Sequence, residues 1–463
     1  MTTPAETDGS RALVIGAVTA IVLVALETLG IAAAMPVISD ELDGEALYGA
    51  VFSAFYLAQV VAIAVAGHLT GRRPLHLVFA TGLAVFGVGL LAATVAPTME
   101  ILVATRVVQG LGAGLIASAV YATITLGFSD ERRPMVLAYV SSAWVAPAFI
   151  APPLAGFLAE EVSWRWVFGG VTPLVPVVAA LAIPPLRRIE SADGSDLALR
   201  DPLVGGLVTA IGIGLGQWAL ARPEIVVVVA GTIVGIALTT AGLSRLLPSA
   251  LRTVRTVVGA AAALKLLLAA GFFGVHYFLP VALTDVQGLS ATVAGLILTV
   301  GSATWTVGAF ISTRGLDRVG PRSVALVGCA ALMTGTAAMF LILDADVTPV
   351  VAFPLWAVAA IGMGLAFNTS NSTAMDAAVA DGQDAGDLAT ALSMGDVLGG
   401  AIASGVGGAI LATGAREGWS DASALAGVFG VMIGVLAVAA VVAVRLPRRR
   451  PTAAPAPAEA PAV

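Results

Sequence analysis

An all-helical polytopic membrane fold is predicted by three observations. The chain of 463 residues is 58% hydrophobic, only 11% of it is charged, and its mean hydropathy is +0.97. Soluble domains carry about a quarter charged residues, so this composition cannot cover a chain of such length with a water-compatible surface. The few charges fall in short gaps between apolar runs of roughly 18 to 25 residues, the length that crosses a bilayer as a helix. Soluble-enzyme and nucleic-acid-binding classes are therefore excluded. The net charge of −6 says little about partners, because in so apolar a chain the location of charges matters more than their sum. A single cysteine, Cys329, rules out an internal disulfide.

Fourteen apolar segments follow in order, at about 12–36, 47–67, 75–97, 99–122, 135–158, 164–185, 202–221, 224–246, 256–282, 289–313, 323–343, 348–370, 388–413 and 421–445. The first is too long for a signal-peptide core and is read as a retained helix. An even number of spans puts both termini on one side, and arginines choose the side. Arg11, Arg72, Arg73, Arg132, Arg133, Arg187, Arg188, Arg200, Arg245, Arg252, Arg255, Arg314, Arg318, Arg322, Arg445, Arg448, Arg449 and Arg450 share one set of loops and tails. Only Arg165, Arg222 and Arg416 fall on the other. Both termini are then cytoplasmic, in a cell (inner) membrane. The segment AMDAAVADGQDAGD is placed inside although it carries no basic residue; acidic residues contribute little to topology. The tail PTAAPAPAEAPAV reads as disordered.

Several chemistries lack material. The sole lysine, Lys265, sits in AAALKLLL, so no Walker phosphate cradle exists and an ATP-driven motor within this chain is excluded. His68, His76 and His276 are scattered, leaving no metal centre. No G-x-S-x-G is present. No cofactor and no enzymatic centre are expected, and an ion gradient is left as the energy source.

Two stretches on the arginine-rich side repeat one signal, GHLTGRRPL and STRGLDRVGPRSV, with Gly71 and Gly320 lying 249 residues apart. Removing two central helices, about 48 residues from Pro202, leaves about 200, the size of a six-helix half in a transporter built from repeats about the membrane normal.

On these features the chain resembles the major facilitator superfamily, and its fourteen spans resemble the drug:proton antiporter branch that places two extra helices between six-helix halves. RVVQGLGAG at 106–114 is similar to the fourth-helix arginine motif, APPLAGFLAE at 151–160 to the fifth-helix antiporter motif, and SWRWVF at 163–168 closes that stretch as the branch often does. LETLGIAAAMP at 26–36 resembles the first-helix motif, with Glu27 at the acidic position and Pro36 ending the run, and SAFYLA at 53–58 resembles the second-helix tyrosine element. Two departures stand out. The first-loop gating pattern survives as Gly67, Leu69, Gly71, Arg72 and Arg73 without its acidic residue, and the antiporter pattern survives as Pro147, Ala151, Pro152, Ala155 and Gly156, small but depleted of glycine. The resemblance implies a cytoplasmic tail at 1–11, a six-helix bundle at 12–185, a linker at 186–201 and inserted helices at 202–246. A loop at 247–255, a second bundle at 256–445 and a tail at 446–463 complete it.

Ionisable side chains inside a bilayer are costly and default to function. Glu27 and Arg106 both fall roughly 10 to 14 Å below the outer surface at ~1.5 Å per residue, so they can meet. Burial raises a carboxyl's proton affinity and nearby positive charge lowers it, which suits Glu27 to alternate between a proton and a cationic substrate; a permanent structural pair is the alternative. Asp396, in SMGDVLGGAIASG, is a second carboxylate candidate or else a hydrogen-bonded packing residue. Lys265 and His276 share the ninth helix about three turns apart, on one face; snorkelling is the alternative for Lys265. Tyr56, Gln59, Trp144, Tyr277 and Trp305 are candidates to line a pocket for flat apolar cations, with Asn368 and Asn371 weaker ones. Asp317, Arg318, Gly320 and Arg322 form the fuller gating loop.

The expectation is a monomeric, proton-coupled secondary transporter that exports amphipathic or cationic drugs by alternating access. Its partners are the bilayer, protons and a small amphipathic substrate, with no nucleic acid. Export of an endogenous metabolite or lipid, or a non-transporting membrane sensor or scaffold, are the alternatives.

Overall fold

The structure, a computed structural model, describes residues 4–129, 131–189, 200–247, 249–380 and 385–449. The tail at 451–463, most of the 186–201 linker and part of the acidic segment before the thirteenth span lie outside the described residues. Among the described residues fourteen helical spans are long and apolar enough to cross a membrane.

Helix α1 (Pro4–Glu41) exceeds its sequence bounds at both ends, starting inside the expected 1–11 tail and passing through Pro36, the residue read as its stop. Proline forgoes one helical hydrogen bond. Here Ala32, Ala33, Ala34 and Met35 are completely buried, so tertiary packing holds the helical path that local propensity disfavours. Single helices α2 (Tyr48–Thr70), α3 (Leu75–Thr94) and α4 (Met99–Gly127) follow, the last capped by the Thr98 hydroxyl. The fifth span is broken into α5 (Arg133–Ser142) and α6 (Val145–Leu158). Pro147, Pro152 and Pro153 cannot donate to the carbonyls one turn earlier, and the chain turns at Ala143–Trp144 where the first of those bonds is missing. A π turn at Ala159–Ser163 leads to the sixth span, α7 (Arg165–Gly169) and α8 (Leu174–Leu186).

Helices α9 (Arg200–Leu220) and α10 (Ile225–Leu246) form the inserted pair. The ninth span joins α11 (Val257–His276) to α12 (Leu279–Val281) and a π turn at Ala282–Val286. Then come α13 (Ala291–Val319), α14 (Pro321–Ala338), α15 (Ala352–Ala380), α16 (Ala385–Glu417) and α17 (Asp421–Ala443). Both α13 and α15 run several residues beyond their sequence-predicted ends. The turn between α13 and α14 is Gly320 at φ +81°, a left-handed conformation that glycine adopts without penalty.

We call proximal the end of the molecule where α1 begins and α17 finishes, and distal the other. One bundle packs α1 on α6 and α8 with α2 and α3 on α4; the other packs α13 and α14 on α15 with α11 against α15, α16 and α17. They meet along α2 with α16 and along α6 with α13. In its distal half α13 exposes only Leu296, whereas Thr306, Val307, Phe310 and Ile311 are exposed proximally. On the α2 flank Gly49 lies backbone to backbone with Gly408 distally, while proximal Gly67 has no neighbour within 4 Å beyond its own helix. The bundles pack closely at the distal end and more loosely at the proximal end, where a 3.1 Å hydrogen bond between the Tyr121 and Ser393 hydroxyls still bridges them.

Helix α9 lies over the α2–α16 flank and touches both bundles. Gly206 packs on Ala64 of α2, and the Gln217 amide donates to the Ala401 carbonyl of α16 at 2.8 Å. Helix α10 packs on α9 and turns Ile225, Val226, Val229 and Ile233 outward, as expected of a surface in lipid.

Candidate functional site: two interior ion pairs beside an aromatic seam

Arg106 of α4 is 1% exposed and Glu27 of α1 0% exposed, and they form a salt bridge. The same guanidinium donates to the Gln109 side-chain carbonyl and, through Nε, to the Val51 carbonyl at 3.2 Å. It lies 4.3 Å from the centre of the Phe55 ring. Gln109 passes the connection on, its amide donating to the Gly89 carbonyl of α3 at 3.1 Å. One arginine thus ties α1, α2 and α4 together, and through Gln109 α3. A charge buried this deeply persists only if paired and hydrogen-bonded, and each of these contacts meets that need. The depth argument brought Glu27 and Arg106 to one level; it missed Gln109, although the three-residue step from Arg106 in RVVQ puts both on one helix face.

The second pair lies in the other bundle. Lys265 of α11 bonds Asp396 of α16 at 3.0 Å, the lysine 6% and the aspartate 33% exposed at their side chains. The ammonium also donates to the Leu392 carbonyl at 3.2 Å and lies 4.9 Å from the Phe367 ring centre. The ammonium is buried within the bundle. Asp396 uses Oδ2 on the lysine, and its Oδ1 is buried without a hydrogen-bond partner. His276 stands apart from this pair, stacked against Phe272 and Trp356 with Nδ1 unpartnered. Trp305 meets Phe272 and Phe367 edge-on, at 5.1 and 5.4 Å between centroids.

Between the pairs runs a seam of aromatic rings. Tyr48, Phe52 and Tyr56 recur every fourth residue on α2, so they share a face. Phe52 stacks on Tyr277 at 4.5 Å, the Tyr56 and Tyr277 hydroxyls are 2.6 Å apart, and the Tyr48 hydroxyl donates to the Tyr277 carbonyl at 3.0 Å. Tyr56 and Tyr277 were both candidates from sequence; Tyr48 and Phe52 were missed, though their spacing was visible. Gln59 is half-buried one turn beyond Tyr56. Trp144 is 40% exposed at the α5–α6 break, and no described contact joins it to this group. Asn368 donates to Ser312 and to the Ala309 carbonyl, a link within its bundle; Asn371 is half-buried.

The major facilitator superfamily model matches residues 17–386. The chain belongs to that superfamily. It is a multi-pass membrane transporter, not an enzyme. Among curated proteins, this transporter is 26% identical over 400 residues to a "probable multidrug-efflux transporter" of Mycobacterium tuberculosis, covering 82% of this chain and 83% of the other. It is 29% identical over 159 residues to the multidrug efflux pump SdrM of Staphylococcus aureus, covering 34% of this chain and 36% of that pump. Among solved structures its fold is similar to a D-xylose–proton symporter, with a TM-score of 0.65, 11% identity and coverage of 96% and 99%. A bacterial homologue of the lysosomal transporter Spinster, inward-facing and unoccupied, gives 0.63, 16% identity and coverage of 96% and 97%.

In this transporter the antiporter-like motif lies where the bundles meet. Ala151 and Ala155 pack on Gly30 of α1, Pro152 on Gly295 of α13, and Gly156 on the backbone of Ala291. The motif continues into a latch missed in the sequence: the Glu160 carboxylate accepts from the amide of Ala291 and, at 3.2 and 3.1 Å, from the amide and hydroxyl of Thr292. A carboxylate at a helix N-terminus is stabilised by free N–H groups and the helix dipole, and here the acid and the helix belong to different bundles. Glu160→Ala is expected to remove about 1 kcal/mol of distal closure, a roughly fivefold shift toward the distally open form. Spin labels on the distal ends of α6 and α13 measure it, with Cys329 buried; an unchanged distance distribution would show that the latch does not hold the seam.

The residues expected from sequence to act in gating divide. Gly71, Arg72 and Arg73 form a turn, with both arginines exposed. Asp317 and Arg318 end α13, exposed, and Arg322 in the first turn of α14 reaches the chain just beyond α17, its Nε donating to the Leu446 carbonyl at 3.0 Å and its amide to the Pro447 carbonyl at 3.2 Å.

Proposed function

We propose that this transporter is a proton-coupled exporter of amphipathic or cationic small molecules, with its arginine-rich proximal end in the cytoplasm of an inner membrane. One arrangement carries the reading: each bundle holds a carboxylate–cation pair in its interior, and the aromatic seam lies between them. Protonation of either carboxylate leaves a buried cation without its partner, and a cationic substrate competes with that cation. Proton and substrate therefore disfavour one another at the site, as exchange requires. The aromatic rings supply flat apolar surface and cation–π contact for a lipophilic cation. Names of the relatives as multidrug efflux proteins agree with this reading. Glu27 is completely buried, whereas Asp396 keeps a third of its side chain exposed and one oxygen unpartnered. We assign Asp396 the first exchange with proximal water and Glu27 the exchange that accompanies rocking.

The test is transport of a fluorescent lipophilic cation in proteoliposomes under an imposed pH gradient. Movement of the cation against the proton flux supports the assignment. Folded protein that moves no such cation would overturn it and favour a dedicated metabolite or lipid exporter. In the same assay Asp396→Asn is expected to lower gradient-driven transport by about tenfold or more. Adding Lys265→Met in that background should recover folded yield, by removing an unpaired buried charge, but not coupling. Wild-type coupling in Asp396→Asn would exclude this pair from the proton path.

A further inference from the structure

Beyond the seam, at the distal surface, the ends of α1, α16 and α17 and the turn after α12 enclose a cavity of about 210 Å3. Four carboxylates line it, Asp40, Glu45, Asp285 and Asp421, together with the rings of Tyr48 and Trp419, and no basic residue does. The arginines of this end are engaged elsewhere: Arg165 bonds Glu41 at 2.6 Å and Arg416 bonds Glu417 at 3.2 Å, and Arg222 lies over Trp218. The four acids come from four separate elements, and the charge of Asp285 lies within electrostatic reach of Asp40, Asp421 and Glu45. Like charges gathered over low-dielectric walls focus a negative potential on the space between them.

A second, independent feature lies in the wall of the same space. Ser39 lines the cavity, is 4% exposed, and its hydroxyl has no hydrogen-bond partner. Helical serines ordinarily bond back to a carbonyl one turn earlier, and a buried hydroxyl left without a partner calls for an explanation.

The chemistry of the lining selects the ligand. Among the described residues no three acids, cysteines or histidines converge as a metal site would require, so the carboxylates act at longer range and a small hard ion lacks its oxygen cage. An organic cation needs no cage. It is attracted by the surrounding negative potential and held by aromatic faces, the recognition used for quaternary ammonium groups. The volume falls below the roughly 300–1,000 Å3 of drug-sized pockets, which limits the occupant to a compact cation. Tyr48 contributes to this wall and, through its hydroxyl, to the seam, so the cavity starts where the seam ends.

We propose that this acidic distal cavity binds a compact organic cation, at a site separate from the two interior ion pairs, and receives that cation as the seam opens. Its place in export rests on the function proposed above; its affinity for a cation does not. The test is equilibrium binding of radiolabelled tetraethylammonium to the full-length protein in lipid nanodiscs, independent of any pH gradient. Saturable binding is expected in wild type, weakened at least tenfold in Asp285→Asn/Asp421→Asn, weakened several-fold in Trp419→Leu and restored in Trp419→Phe. Glu27→Gln should leave this binding in place, and should do so even if no gradient-driven transport is found, which separates failure of the site from failure of the transport reading. Affinity unchanged in both the double variant and Trp419→Leu, binding lost in Glu27→Gln instead, or no saturable binding by folded wild type would each overturn the proposal. Since Asp285, Asp421 and Trp419 are exposed, these substitutions should leave folding intact.

Discussion

Glu27→Gln is expected to lower gradient-driven export by about a hundredfold or more, the scale set by removing a proton-transfer group, while exchange of labelled for unlabelled substrate without a gradient persists. Glutamine keeps the shape and one acceptor for Arg106 but can carry neither the charge nor the proton. Three readouts separate coupling from architecture. Arg106→Leu should fail differently, because it leaves the Glu27 carboxylate buried and unpaired in a site with 0% exposure; breaking such a pair costs about 3–5 kcal/mol, seen as loss of monodisperse protein. Removing both charges, Glu27→Leu with Arg106→Met, should restore folded yield and leave coupling absent. If that double variant couples protons normally, the pair is architectural and Asp396 is left as the carboxylate to test. If Glu27→Gln couples normally, the assignment of Glu27 is wrong.

Gly156→Leu is expected to stop the cycle by a different route. A side chain at this position would meet the Ala291 carbonyl and, at 2.7 Å, the Thr292 amide, backbone atoms of the opposite bundle that cannot swing aside. The nearest atoms all belong to α13, so each bundle keeps its own packing and the protein should fold. What is lost is distal closure. Overpacking costs of about 1–3 kcal/mol correspond to a population shift of about 5- to 150-fold toward the distally open form. Spin-label distances should lengthen at the distal end, and export should fall in proportion. Transport and distances like those of wild type would show that the seam does not close through Gly156.

Both predictions rest on contacts of unequal visibility in the sequence. The spans were legible because a bilayer demands about 20 apolar residues per helix, and arginines mark their ends. Glu27 and Arg106 were legible because depth follows from counting along a helix. Lys265 and Asp396 were each noticed but not joined, because nothing local tells α11 that α16 is its neighbour. Glu160 was hidden for the same reason: its partners are backbone amides at the start of α13, which carry no sequence signature. Trp144 was read as if the fifth span were straight, whereas the missing donors of Pro147, Pro152 and Pro153 break it, so the face of α6 cannot be extended back to Trp144. Pro36 misled in the opposite sense, since complete burial of its neighbours overrode its tendency to end a helix.

The position of α9 has one further consequence. It bridges α2 and α16 over one flank of the seam, with Gln217 on Ala401 and Gly206 on Ala64, while among the described residues no inserted helix covers the α6–α13 flank. When the bundles gape, hydrocarbon chains are shut out on one side and not on the other. The two flanks of the seam are therefore unequal toward lipid, one roofed by α9 and the other, along α6 and α13, bare of any inserted helix among the described residues.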